Sequence, residues 1–413
     1  MRYQKPKGTR DIIGKDLKRI EAVCSKARLF FEKNGYEEIR TPTFEFAELF
    51  TRSIGEYTDI VEKENYTFQI SQKVYMLRPE GTASVLRAII ENKIQPPCRF
   101  LYIEPMFRRE RPQKGRYREF LQIGIELIGE AGPIFDAEMI DLGKNFMELL
   151  GAADYLIEIN SIGCPQCRTA YKEKLNRYLS PMSGELCSDC KRRISRNFLR
   201  IFDCKQENCQ RIYDRAPKIT DNLCDACARH YEKVKDFLKI FGVQYQENKK
   251  MVRGLDYYTR TVFEFKVKTL GAQDTVLAGG RYDLLMKELG GGDAPALGWA
   301  MGVDRLLSIL PEQKPEIEEH KSFFIATIGE TLLSKTVKLK TLIQKNSFIV
   351  ILGDPEKTLK QQLKKANRLN ADYVIIFGED EAKQKVFTVK DMKSGEQKVV
   401  KQEEFSDYLN GLC

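Results

Sequence analysis

The sequence predicts an α+β chain built from several units, on three observations. Helical and strand periodicities mix through about the first 160 residues, around one long hairpin. A basic segment rich in cysteine then interrupts the strands. Roughly the last 90 residues alternate strand and helix, as a small α/β domain does. A length of 413 residues suits two to four domains, and 42% hydrophobic residues are enough for ordinary cores. The boundaries expected are 1–163, 164–244, 245–320 and 321–413.

Within the first unit, Lys18 to Asn34 reads as an amphipathic helix, with Ile20, Val23, Ala27 and Phe30 at three- and four-residue spacing and Gly35 ending it. GYEEIRTPTFE reads as a strand leaving through Pro42, and VYMLRPEGTASVLRAIIEN as a strand running into a helix. FLYIEPMFRRERPQKGRYREFLQIGIELIG reads as strand, polar loop, strand. The 164–244 segment ends in a helix over about 227–241. Strands resume at 262–267 and 274–278, before the glycine-rich stretch GGGDAPALGWAMGVDRLLSIL. The last unit predicts strands at 323–328, 348–352 and 373–377, helices at 332–345 and 357–369, a hairpin around Ser394-Gly395 and a short terminal helix. Leu359, Leu363, Ala366 and Leu369 form one helical stripe and are read as core.

Composition removes several classes of function. No apolar run reaches the roughly 18 residues of a membrane span, and MRYQKPKGTRDIIGKD has no apolar signal core, so a cytoplasmic protein is expected. The two histidines, His230 and His320, lie in no motif, which argues against Ser-His or Cys-His chemistry. The net charge is +9 overall, yet 164–242 alone holds 17 basic against 10 acidic residues, a local +7. Such a module suits a polyanion such as nucleic acid, and equally a solvated basic face.

Four stretches carry candidate chemistry. In MFRRERPQKGRYREFLQIGIE, six cations fall within eleven residues (Arg108, Arg109, Arg111, Lys114, Arg116, Arg118). That density suits phosphate oxygens, while Tyr117 and Phe120 offer flat faces for a purine. Gln122, Gly124 and Glu126 then share one face of the returning strand. In LRPEGTASVL, Glu80 and Thr82 sit where strand turns to helix; they could accept from an ammonium group or simply cap the helix. In ALGWAMGVDRLLSIL, Arg305 lies near a helix start that favours an anion. In VRGLDYYTRTVFEF, Arg253, Asp256, Tyr257 and Tyr258 are more polar than a buried strand start needs. The cysteines form four pairs, Cys164/Cys167, Cys187/Cys190, Cys204/Cys209 and Cys224/Cys227, spaced for two four-thiolate zinc sites or for a ribbon of reduced buried thiols.

Together these motifs resemble the class II aminoacyl-tRNA synthetases, and within them the histidyl-tRNA synthetase family. GYEEIRTPTFE is similar to motif 1, the arginine-bearing hairpin to motif 2, and the glycine-rich strand–helix with GVDR to motif 3. RGLDYYTRTVFEF and LAGGRYDLL resemble the two signatures special to the histidine enzymes. The resemblance spans essentially the whole chain. It implies a six-stranded antiparallel sheet flanked by helices, a cysteine-rich insertion near the tRNA acceptor stem, and a C-terminal anticodon-binding α/β domain. The implied reaction joins L-histidine to tRNA(His) with ATP and Mg²⁺, in a homodimer with motif 1 at its interface.

Position by position, the resemblance implies that Glu80, Thr82 and Gln122 hold the α-amino group. Arg108 takes the α-phosphate, Arg116 and Arg305 the outer phosphates, and Phe120 the adenine; Glu110 and Gln122 complete the ATP set. Glu126 and Tyr258 grip the imidazole, with Tyr257 and Tyr282 in the same pocket. Arg253 lies beside the carboxylate and α-phosphate, and with Arg108 forms the implied catalytic pair. Gln113 matches a position that contacts the extra 5′ guanosine of the tRNA. The loop LGDPEKTLKQQLKKANRL departs from the family's usual Ser-Gly-Arg approach. A non-catalytic regulatory paralogue usually loses the RGLDYY signature, which is retained here.

Overall fold

A computed structural model of the protein describes residues 3–55, 58–112, 115–271, 274–311 and 321–412. It divides into two compact units, Met1–Pro315 and Glu316–Cys413.

Unit 1 holds strands β1 (Glu37–Glu38), β2 (Phe44–Phe46), β3 (Thr67–Ile70), β4 (Lys73–Leu77), β5 (Cys98–Phe107), β6 (Glu119–Ile128), β7 (Leu156–Ser161), β8 (Gln246–Glu247), β9 (Thr259–Lys266), β10 (Thr275–Arg281) and β11 (Ala296–Gly302). Eight of them form one sheet, in the order β1-β5-β6-β11-β10-β9-β7-β8. Its six central strands are antiparallel. Only the two-residue edges, β1 on β5 and β8 on β7, pair in parallel. The expected six-stranded sheet is therefore extended by a short parallel strand at each edge. The β2-β4-β3 ribbon forms a separate sheet. GYEEIRTPTFE is not one strand: Pro42 cannot donate to a ladder, and β1 and β2 flank it in different sheets.

Pleating gives the large sheet two buried faces. On one, Leu101, Ile103, Ile123, Ile125 and Leu127 pack with the helices Lys15–Lys33, Pro133–Leu149 and Asp225–Ile240. Within the first of these helices Phe31 is fully buried, while Phe30 packs at the margin; the stripe runs through Ile20, Val23, Cys24, Ala27 and Phe31. The helix ending the cysteine-rich segment buries Tyr231, Val234 and Leu238 in this same core. On the other face, Phe100, Tyr102 and Ile128 share a core with helix Thr82–Glu91, with Tyr257, Tyr258 and Tyr282, and with buried residues of the cysteine-rich segment.

Unit 2 is a five-stranded sheet of β12 (Ser322–Thr327), β13 (Ile349–Leu352), β14 (Tyr373–Phe377), β15 (Val386–Asp391) and β16 (Gln397–Lys401), ordered β13-β12-β14-β15-β16. Its first three strands are parallel and β15 and β16 antiparallel. One further helix, Glu379–Gln384, follows β14. Of the predicted stripe, Ala366 is buried and Leu359 and Leu363 pack at its edge, but Leu369 is exposed. Gln362 is buried instead, its amide donating to the Thr327 and Lys357 carbonyls at 2.8 and 3.0 Å.

Candidate active site

Strand register builds the floor. Glu126 lies opposite Gly298, Gly124 opposite Ala300 and Gln122 opposite Gly302. Gly298 and Ala300 face Gly280 and Ala278 on the next strand. With so little side chain on this face, a cavity of about 940 Å³ opens over the sheet. The small residues are required. A Cβ on Gly298 would sit 2.0 Å from Glu126 Oε2, and one on Gly124 would sit 2.1 Å from the Tyr102 ring.

The cavity brings together Glu80, Thr82, Gln122, Arg108, Glu110, Arg116, Phe120, Arg253, Tyr257, Tyr258 and Arg305 from four separate stretches of sequence. Glu80 is a helix cap here: its carboxylate accepts from the Thr82 and Ala83 amides at 2.7 and 3.0 Å. Burial raises its pKa, and those amides work against the rise. Thr82 Oγ1 donates to Glu126 Oε1 at 2.6 Å, and the Tyr282 hydroxyl donates to Glu126 Oε2. Glu126 and Tyr282 thus stand in the wall just behind the cavity lining. Burial pushes the Glu126 carboxyl up to about 8, Thr82 and Tyr282 opposing the rise and the neighbouring Glu80 adding to it. Tyr257 packs 4.7 Å from Tyr258 and 5.5 Å from Tyr282, ring centre to ring centre, giving an aromatic wall.

The cationic end is set by the motif 2-like hairpin and its neighbours. Arg108 Nε donates to the Pro79 carbonyl at 2.8 Å, and its guanidinium stands 5.4 Å from the Phe120 ring centre. Arg116 pairs with Glu110, and Arg305 donates to the Thr275 carbonyl at 2.7 Å. Burial lowers the Arg116 pKa to about 10, with Arg305 the next cause, and it lowers Arg108 and Arg305 as well. Cations held this close in a partly desolvated site favour a polyanion between them. Arg253 pairs with Glu264 and lies 5.6 Å from the Tyr258 ring centre. Gln113 lies outside the described residues.

Sequence reading missed Glu158, Glu264 and Lys266, which also line the cavity. Lys266 bonds Glu158 at 3.0 Å. The available signal was charge at alternate positions of otherwise apolar strands, LIEIN and VFEFK.

The eight cysteines gather as two groups, Cys164, Cys167, Cys224 and Cys227, and Cys187, Cys190, Cys204 and Cys209, with the sulfurs of each group within 4.8 Å of one another. The second group is nested inside the first in the chain. Each could hold a metal ion. Backbone amides point at the sulfurs, Cys224 N to Cys167 Sγ at 3.1 Å and Cys187 N to Cys209 Sγ at 3.3 Å.

The family profile described as histidyl-tRNA synthetase matches residues 8–167 and 191–306, and one described as an anticodon binding domain matches 322–412. The chain is 46% identical to a histidine–tRNA ligase of Thermosipho melanesiensis, over 99% of this chain and 98% of that one. It is 45% identical to one of Aquifex aeolicus, over 97% and 99%. The chain belongs to the histidyl-tRNA synthetase family. Apo histidyl-tRNA synthetase of S. aureus superposes with a TM-score of 0.79 at 33% identity, covering 99% of this chain and 100% of that one. A Bacillus halodurans protein titled as an ATP phosphoribosyltransferase regulatory subunit/histidyl-tRNA synthetase gives 0.66 at 20% identity over 92% and 99%, a likeness of fold alone. Within the synthetase match, the profile passes over 168–190, the stretch that carries Cys187 and Cys190.

Proposed function

We infer that the cavity carries out histidine activation and transfer. The chain is an aminoacyl-tRNA ligase: it activates L-histidine with ATP to histidyl-adenylate and diphosphate, then passes histidine to the 3′ end of tRNA(His). The observation that carries the reading is one cavity with a buried carboxylate–tyrosine wall at one end and arginines at the other.

Imidazole has a donor and an acceptor at opposite edges, which Glu126 and Tyr258 would satisfy, with Tyr257 and Tyr282 enclosing the ring. Glu80, Thr82 and Gln122 present oxygens to the α-ammonium. Phe120 would stack on adenine. Arg108 would hold the α-phosphate with Glu110 and Gln122 alongside, and Arg116 and Arg305 the outer phosphates. Arg253 would steady the histidine carboxylate as its oxygen attacks the α-phosphorus and diphosphate leaves. That carboxylate is already ionised, so catalysis is positioning and charge stabilisation without a protein base. In the second step a ribose hydroxyl of the tRNA attacks the carbonyl carbon and AMP leaves. Mg²⁺ bound with ATP supplies charge neutralisation on the phosphates; Glu110 and Glu264, oxygen donors on the cavity wall, would hold it.

The same reading assigns the remaining parts. Residues 1–163 and 245–320 form the catalytic core, 164–244 the basic module facing tRNA, with Gln113 a further tRNA contact, and 321–413 the anticodon reader. The thiolate groups are structural zinc sites by donor type and spacing. A homodimer is supported by the β2-β4-β3 ribbon, which exposes Phe44, Phe46, Phe68, Ile70 and Val74 beside motif 1. The cytoplasm supplies tRNA, ATP and the reducing conditions that thiolate sites need.

The test is exchange of labelled pyrophosphate into ATP with each of the twenty amino acids. Exchange with histidine alone is expected. Exchange with another amino acid would overturn the pocket assignment. Absence of exchange in folded protein that binds histidine would favour a regulatory paralogue. Light scattering should give twice the chain mass, and Phe46→Asp should return the single-chain mass.

A further inference from the structure

The inner cysteine group does more than close a loop. Residues 191–203 lie between its two halves, Cys187/Cys190 and Cys204/Cys209. They fold as the end of helix Ser188–Arg196 and a 3₁₀ turn, Phe198–Asp203. From this short span, the Asn197 amide donates to Asp256 Oδ1, and Arg200 Nη1 donates to the Gly254 carbonyl at 3.2 Å. Both acceptors belong to the RGLDYY segment. Phe202 and Asp203 themselves reach the cavity lining beside Arg253 and Leu255. Cys190, Cys204 and Cys209 share one buried core with Tyr257, Tyr258 and Tyr282.

The sulfurs are already near the shape an ion needs. Tetrahedral Zn²⁺ with Zn–S of about 2.3 Å places sulfurs about 3.8 Å apart. Cys187 and Cys204 Sγ are 3.8 Å apart. Amides from Cys190, Cys187 and Gln206 point at Cys187, Cys209 and Cys204 sulfurs at 3.4, 3.3 and 3.4 Å, the outer hydrogen bonds that stabilise bound thiolates.

We propose that the inner group binds one Zn²⁺, and that this ion positions the histidine-reading segment by clamping residues 191–203, so that Asn197 and Arg200 hold Arg253–Asp256 at the cavity. The proposal rests on the reading of Arg253, Tyr257 and Tyr258 as histidine-binding residues. Asn197 and Arg200 are positioning residues. They touch the loop and not the reacting atoms. The outer group, at the neck of the insertion, is expected to lack this effect.

The test uses full-length protein purified without chelator, with zinc counted by mass spectrometry and deuterium uptake followed in peptides covering 250–258. Wild type should hold two zinc ions per chain, one for each group. Cys209→Ser should hold one. Its 250–258 uptake should accelerate, and its KM for histidine in pyrophosphate exchange should rise about tenfold. The KM for ATP should stay within about twofold. Cys167→Ser should also lose one ion but leave 250–258 uptake unchanged. Asn197→Ala should keep both ions and repeat the histidine KM shift, and it carries the test if Cys209→Ser fails to fold. The proposal is overturned if Cys209→Ser and wild type hold equal zinc, or if the ion is lost with uptake unchanged. It is also overturned if Asn197→Ala leaves both uptake and histidine KM unaltered. A wild type without histidine-dependent exchange would remove the functional reading, while zinc count and uptake would still decide the clamp.

Discussion

Glu126 concentrates the chemistry of the pocket in one side chain. Both its oxygens accept from neighbours, Thr82 and Tyr282, and burial lifts its pKa to about 8 from an ordinary 4.5. The folded chain therefore keeps a proton that the unfolded chain gives up. That contribution to stability is fully present below 4.5 and is lost as pH rises through about 8. Glu126→Gln cannot ionise, so its melting temperature should fall less than wild type's between about pH 6 and pH 9, read by calorimetry. Gly298→Ala acts on the same carboxylate by sterics. Its Cβ would meet Glu126 Oε2 at 2.0 Å and the Ile125 carbonyl at 2.4 Å. Histidine KM should rise at least about tenfold while the far-UV spectrum is kept, because the clash falls on the pocket wall. The alternation of Gln122, Gly124 and Glu126 was legible in sequence because a strand has period two. The partners of Glu126 were not, since Thr82 and Tyr282 come to it from other strands and helices.

At the scale of elements, a buried cluster ties one face of the sheet to two of its helices. Arg281 ends β10 and is fully buried; its guanidinium donates to Asp136 at 2.5 Å and to the Glu130 carbonyl at 2.9 Å. His230 reaches the same Asp136 at 3.2 Å from helix Asp225–Ile240. Burial alone would raise the Asp136 pKa, but Arg281 and His230 more than reverse it and hold it well below the usual range. Arg281→Ala would leave a buried carboxylate without its main partner. It should cost about 3–5 kcal/mol in urea unfolding of unit 1. Sequence reading found LAGGRYDLL as a signature but not this structural use of its arginine, and it left His230 without a motif. Long elements with clear period, such as β5, β6 and helix Lys15–Lys33, were readable. The exact face was less so: Phe31 rather than Phe30, and Gln362 rather than Leu369, occupy the buried positions. In the first helix a shift of one residue, about 100° around the axis, exchanges Phe30 for Phe31. Leu369 is the C-cap of helix Leu359–Arg368, and the buried glutamine is tolerated because two carbonyls accept from its amide.

At the scale of the whole molecule, the two units bury separate cores: Phe323, Ile325, Ile375 and Phe377 anchor unit 2 and appear in neither core of the large sheet. Each unit is therefore expected to fold alone. Truncation after Pro315 should keep histidine-dependent pyrophosphate exchange. It should lower charging of tRNA(His) at least about tenfold, because one of two binding modules on the same ligand is lost. Domain order was legible from composition, since cysteine and charge mark the insertion and strand–helix alternation marks unit 2. The nesting of the cysteine pairs was not, because spacing along the chain does not say which pair meets which. That nesting has a bearing on how the chain finds its fold. β7 must pair with β9 across the whole insertion, Ser161 meeting Thr261. A pairing so distant in sequence is slow, since closing a long flexible loop is entropically costly. The insertion leaves and re-enters at a neck where the Cys224 amide bonds the Cys167 sulfur, so its interior can form as a local event and carry the two strand ends close together. Seen this way, the cysteine-rich module is a kinetic shortcut, turning a strand pairing that spans 100 residues of chain into a nearly local one.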